Sequence, residues 1–244
     1  MRTGNRLPGW EQRLMDGLLG LVSRLGDSSD TERKERPKFV GYHDLLRVLE
    51  MPQCPVCFIV RRSLEGFLSV AFIQELTASE FRELLRRSLG YCRQHSEHVR
   101  TAARNKLTEM GIAIVYEDIL ALAQHHMQTR RTVPVVAHCP LCPIQQDVEA
   151  YAMQLIADYC NDREFQDHYE TASGVCLIHY HGILKQLEGD ARKFFHASHM
   201  RKLDIRLGQL REFIRKHDYR FANEKMTDQE ATCWKSAVWF LAGD

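Results

Sequence analysis

The chain has 244 residues, 44% of them apolar, which is enough for one large domain or two modest ones with an ordinary core and no disulfide staples. A formal net charge of +1, with 27% charged residues, gives no global pull toward nucleic acid or an anionic lipid surface. No run approaches the roughly 18 uninterrupted apolar residues of a membrane span, because Glu117 and Asp118 interrupt the best candidate, Ile112 to Ala123.

Met1 to Arg6 leads into Trp10, Glu11, Gln12 and Arg13 rather than an apolar signal core, so the expected compartment is a reducing cytoplasm. There, paired cysteines serve more often as metal ligands or redox thiols than as disulfides. Trp10, Leu14, Leu18, Leu21 and Leu25 form an apolar helical stripe. Such a stripe packs on the body of the protein or docks to a partner or second subunit. Residues 27–38 are polar and charged, with Pro37, and read as a linker. Residues 1–37 are therefore expected to be an amphipathic helix followed by a linker.

The next stretch, 38–128, opens on Cys54-Pro55-Val56-Cys57. Ile59, Val60, Leu64, Phe67, Leu68, Ala71 and Phe72 follow with i, i+3/i+4 spacing, which predicts a helix. Thr77 and Glu80 have the form of a capping box opening a short second helix, and Gly90 stands where a left-handed residue would end it. Cys92-Arg93-Gln94-His95 then opens a third, longer helix, expected to break at Gly111 and resume to Met127.

The same order recurs in 129–220. Cys139-Pro140-Leu141-Cys142 precedes a helical stripe of Val148, Tyr151, Ala152, Leu155, Ile156 and Tyr159. Asn161 with Glu164 repeats the cap, Gly174 repeats the stop, and Cys176-Leu177-Ile178-His179 opens a helix that breaks near Gly189. Each half is C-P-x-C, a helical spacer, then C-x-x-H, at an internal period of about 85 residues. Thr227 and Glu230 form a further capping box, so 221–244 is expected to be a last helix packed on the repeats. Val133 to Ala137 is the one β-branched run, and Pro134 demotes it. The expected fold is all-α: a tandem duplicated helical repeat, each unit clamped by a C-P-x-C knuckle and a C-x-x-H helix start, with flanking helices.

Zn²⁺ favours four Cys and His donors in a tetrahedron, and C-x-x-C places two sulfurs on one metal. A Cys at a helix start has its thiolate favoured by unpaired amides, and thiolate is the ligating form. The residues thus offer two Cys₃His sites, Cys54/Cys57/Cys92/His95 and Cys139/Cys142/Cys176/His179, and two zinc ions per chain. Closed shells of this kind are structural rather than catalytic. Spacing leaves open a shared arrangement, for instance Cys54 and Cys57 joined with Cys176 and His179. Three thiolates and an imidazole also suit an iron–sulfur cluster, or the thiols could do redox work. Cys160 and Cys233 lie outside the pattern and read as buried apolar residues.

The C-P-x-C…C-x-x-H duplication, with Trp234, Trp239 and Gly243 in a terminal helix, resembles an uncharacterised family of bacterial and archaeal proteins known only as a domain of unknown function. The resemblance spans residues 38–243 and implies that the Cys and His positions belong together; it implies no activity. The expected role is an interaction or regulatory module with a protein partner or self-association, rather than an enzyme, and no membrane. The alternatives are an iron–sulfur or thiol redox protein and a nucleic-acid-binding regulator, the latter resting on Arg86, Arg87, Arg93, Arg100 and Arg104.

Overall fold

The structure, a computed structural model, describes residues 40–103, 106–129, 139–221 and 223–243. The N-terminal stripe and linker and the Val133–Ala137 run lie outside them. Among the described residues there are ten α-helices and no strand. They are α1 (Val40–Leu49), α2 (Pro55–Gln74), α3 (Ser79–Ser88), α4 (Arg93–Ala102), α5 (Lys106–Gln128), α6 (Leu141–Tyr159), α7 (Arg163–Thr171), α8 (Leu177–Leu184), α9 (Gly189–Lys216) and α10 (Asp228–Ala242). A 3₁₀ turn, Tyr219–Phe221, links the last two. Among the described residues, no helix is long and apolar enough to cross a membrane.

These residues form two compact units, 60–148 and 40–59 with 149–243. The sequence places its division at 128/129 instead. The chain passes between units inside α2, after Ile59, and inside α6, after Val148, so each C-P-x-C knuckle falls in the other half's unit.

In unit 60–148 the stripe expected on α2 is the core: Val60, Leu64, Phe67, Leu68, Ala71 and Phe72 are buried. Phe72 meets Phe81 of α3 edge-on, with ring centres 6.1 Å apart, and α3 packs on α5. Leu89 (φ 49) and Gly90 (φ 94) take left-handed backbone after α3. The Gly90 N–H donates to Leu85 O at 2.9 Å, closing the helix as the sequence predicts. The expected break at Gly111 is absent. α4 ends at Ala102, α5 begins at Lys106, and Gly111 sits inside α5. A Cβ there would stand 1.9 Å from Phe72 O, so this glycine serves close approach to the α2 backbone rather than a stop.

In the other unit, α1 packs on α7, and α8, α9 and α10 pack on one another. Stacked rings run through it: Phe165 on Tyr169, Tyr169 on Phe195, Phe195 on Tyr180, Tyr180 on His199 and His199 on Phe240. Aromatic contacts of this kind each add about 0.5–1.5 kcal/mol beyond burial. Tyr42 of α1 is fully buried and donates to Asp162 at 2.6 Å.

Two predicted caps shift by one residue. The residue capping α3 is Ala78, which has no side-chain acceptor, and that capping α7 is Asp162, whose carboxylate accepts from the Phe165 N–H at 3.0 Å. The capping box of Thr227 and Glu230 forms as expected, with both reciprocal bonds present.

Candidate metal centres

Each C-x-x-H begins its helix in the same way. Cys92 is the N-cap of α4 (φ −64, ψ 167) and Cys176 the N-cap of α8 (φ −69, ψ 164). The imidazole three residues on stands in the first turn, so thiol and ring share one face. Cys54 directly precedes α2, with Pro55 in the first helical position, where a missing N–H costs nothing. Cys57 follows in the first turn of α2. Cys142 lies at the start of α6, its N–H bonded to Cys139 O at 3.2 Å.

All eight sequence-predicted residues fall into two groups, each with its donor atoms within 4.8 Å of one another. The first is Cys54, Cys57, Cys176 and His179; the second is Cys92, His95, Cys139 and Cys142. The pairing expected within each repeat, Cys54/Cys57 with Cys92/His95 and Cys139/Cys142 with Cys176/His179, is therefore corrected. Each knuckle meets the C-x-x-H of the other half. α2, 20 residues long, passes from one unit to the other after Ile59, so Cys54 and Cys57 stand in one unit and Cys92 and His95 in the other; α6, with 19 residues, does the same after Val148.

In the first group His179 Nδ1 lies 3.3 Å from Cys54 Sγ, 3.5 Å from Cys57 Sγ and 3.1 Å from Cys176 Sγ, while Cys57 and Cys176 sulfurs are 4.0 Å apart. In the second, His95 Nδ1 lies 3.2 Å from both Cys92 and Cys139 sulfurs and 3.5 Å from Cys142 Sγ. Edges of a tetrahedron built on typical zinc bond lengths are about 3.6–3.8 Å. Both donor sets fit one ion.

The metal-free clusters have uneven proton affinity. Hydrogen bonds from Cys54 and Cys57, opposed by burial, hold the Cys176 thiol far below its ordinary range, and the His179 side chain and backbone add to this. Cys54, donating, is pushed up correspondingly. Burial lowers the His179 pKa, but Cys176 and Cys57 more than offset this and raise it to about 10. Burial, then Cys139 and Cys92, push the Cys142 thiol up to about 12. A cation entering either group must therefore displace protons.

Among the described residues, Glu149, Gln145 and Gly243 also stand against the groups, none of them assigned a ligand or contact role from sequence. His179 Nε2 lies 2.9 Å from Glu149 Oε1, and His95 Nε2 lies 2.5 Å from Gln145 Oε1. With Nδ1 facing the sulfurs, Nε2 carries the proton and donates to each acceptor, which fixes the ring and its tautomer. Gln145 stands three residues after Cys142 on the same helix face, a readable signal. Glu149 is 30 residues from His179 and has none. Gly243 (φ 85) closes α10 so near the first group that a Cβ would lie 3.2 Å from Cys57 Sγ and 3.6 Å from Cys176 Sγ.

The remaining candidates lie elsewhere. Cys160 and Cys233 are buried outside both groups. His196 accepts or donates at 2.6 Å with Tyr180 OH, and His199 is stacked in the aromatic column. Arg86 pairs with Asp118, Arg87 with Glu83 and Arg100 with Glu97.

Residues 129–243 match the model of a family described as a family of unknown function, DUF6062. That span holds Cys139 and Cys142 of one group and Cys176 and His179 of the other, so it carries half of each cluster. Over 198 residues the chain is also 22% identical to the "Uncharacterized 23.9 kDa protein in xynA 3'region" of Caldicellulosiruptor sp. (strain Rt8B.4), covering 78% of this chain and 95% of that protein. No solved structure matches the chain. The chain is thus similar, over its C-terminal half, to a domain family of unknown function.

Proposed function

We propose that the chain is a zinc protein holding two ions, one on Cys54, Cys57, Cys176 and His179 and one on Cys92, His95, Cys139 and Cys142, and that it works as an interaction or regulatory module. The observation that carries this is the convergence of three thiol sulfurs and one imidazole on one point, twice. Four protein donors complete a tetrahedral shell and leave no open position for a substrate, so the ions act as clamps. Each clamp joins elements far apart in sequence and adds its binding free energy to folding.

A polynuclear iron–sulfur cluster fits less well. Its ligands sit on different irons and must stand apart, whereas these donors lie mutually within 4.8 Å. The arginines considered for nucleic acid include three already held by carboxylates. An origin by duplication is supported by the matched lengths of α2 and α6 and of α3 and α7, and by the shared backbone at Cys92 and Cys176. The interaction role draws on one face of α10, where Trp234, Val238 and Leu241 stand exposed at i, i+4 and i+7.

The test is elemental analysis of protein purified without added metal and without oxygen. A colourless protein with two zinc per chain is the expected result. A brown protein absorbing at about 400 nm would replace zinc with iron, and metal-free protein would remove the reading altogether.

A further inference from the structure

We propose that the two centres are unequal by construction. The Cys54/Cys57/Cys176/His179 centre is the tightly held one, the Cys92/His95/Cys139/Cys142 centre is the exchangeable one, and Glu149 against Gln145 sets the difference. This rests on the zinc reading above and adds to it a division of labour between a permanent clamp and a site that responds to metal supply.

Electrostatics favour the first centre. Three thiolates and one dication leave a net charge of −1, identical in the two centres. The groups behind the imidazoles differ. The His179 Nε2–H meets the Glu149 carboxylate at 2.9 Å, and the His95 Nε2–H meets the Gln145 amide oxygen. A carboxylate draws the Nε2 proton toward itself and makes Nδ1 a stronger donor to the ion; a neutral amide orients the ring with far less effect on basicity. Changes at this position typically alter metal affinity by about 10–100-fold.

Access favours the same centre. In the first centre Cys54, Cys176 and His179 are buried, and only Cys57 is part-exposed. Gly243 packs its main chain against the first centre, where a Cβ would stand 3.2 Å from Cys57 Sγ and 3.6 Å from Cys176 Sγ. In the second centre Cys92 and Cys142 are both part-exposed. A competing chelator or thiol reaches two sulfurs there and one in the first.

The experiment is competition of the zinc-loaded full chain against a chromophoric chelator, with released zinc read directly. Wild type should release zinc in two steps separated by at least about tenfold. The weak step should vanish in Cys92→Ser and the tight step in Cys176→Ser. Glu149→Gln should weaken the tight step by about 10–100-fold, and Gln145→Glu should tighten the weak one. Helix content by circular dichroism keeps misfolded variants apart from the rest. Two steps of equal affinity, a tight step that survives Cys176→Ser, or a tight step unmoved by Glu149→Gln would each overturn the proposal. Wild-type chain that takes up no zinc would instead bring down the zinc reading beneath it.

Discussion

Cys54 Sγ stands 3.3 Å from His179 Nδ1 across 125 residues of sequence. This contact is matched by Cys139 Sγ at 3.2 Å from His95 Nδ1. Each knuckle meets the C-x-x-H of the other half. Two long-range closures hold the two units, and unfolding either unit must separate donors that lie on different elements.

Gly111 offers a test of the packing in the unit that holds the second centre. A Cβ would fall 1.9 Å from Phe72 O, which belongs to helix backbone and cannot swing aside. Gly111→Ala should force α5 off α2 and cost about 1–3 kcal/mol, as overpacking of a close contact does. Chemical denaturation of the zinc-loaded protein measures it. Unchanged stability would mean that α5 does not approach α2 so closely.

Helix starts offer a prediction in both directions. Ala78 has the extended backbone of an N-cap (φ −69, ψ 118) but no acceptor. Ala78→Asp should stabilise the protein by about 1 kcal/mol, and Thr227→Ala, which breaks a formed capping box, should destabilise it by a similar amount. Thermal denaturation of the two variants beside wild type should move the midpoint up for the first and down for the second.

His199 is 2% exposed, stacked between Tyr180 and Phe240, and neither ring nitrogen has a hydrogen-bond partner among the described residues. Burial, with Arg206 and Lys202 nearby, lowers its pKa from 6.5 to about 4. The unfolded chain then binds the extra proton between those values, so stability falls as pH drops from 6.5 toward 4 and the loss levels off below. The contribution is about 3 kcal/mol. His199→Phe keeps a stacking ring without the titration. The wild-type-minus-variant difference in unfolding free energy should fall between pH 7 and pH 4, and a flat difference would contradict the assignment.

What the sequence makes legible is local. The thiol at the N-cap of α4 and α8, the apolar stripe on α2, the Gly90 stop and the Thr227 box each depend on neighbours within a few residues. The cap slips by one at Asn161 and Asp162 because adjacent polar residues give the same pattern, and at Thr77 because α3 starts from Ala78 with no side-chain cap at all. Gly111 looked like a stop because glycine has two uses in helices, and only the Phe72 carbonyl decides between them. The ligand pairing was open for a different reason. It depends on where along α2 and α6 the chain passes from one unit to the other, which no motif encodes. Glu149 was invisible for the same reason, since its partner lies 30 residues on.

The exchange of knuckles is tested most directly by zinc content in two double variants after chelator washing. Cys92→Ser with Cys142→Ser removes two donors from one group, and Cys54→Ser with Cys92→Ser removes one from each. The structure predicts one zinc per chain in the first and none in the second. One zinc in the second double variant and none in the first would show instead that each repeat closes its own site.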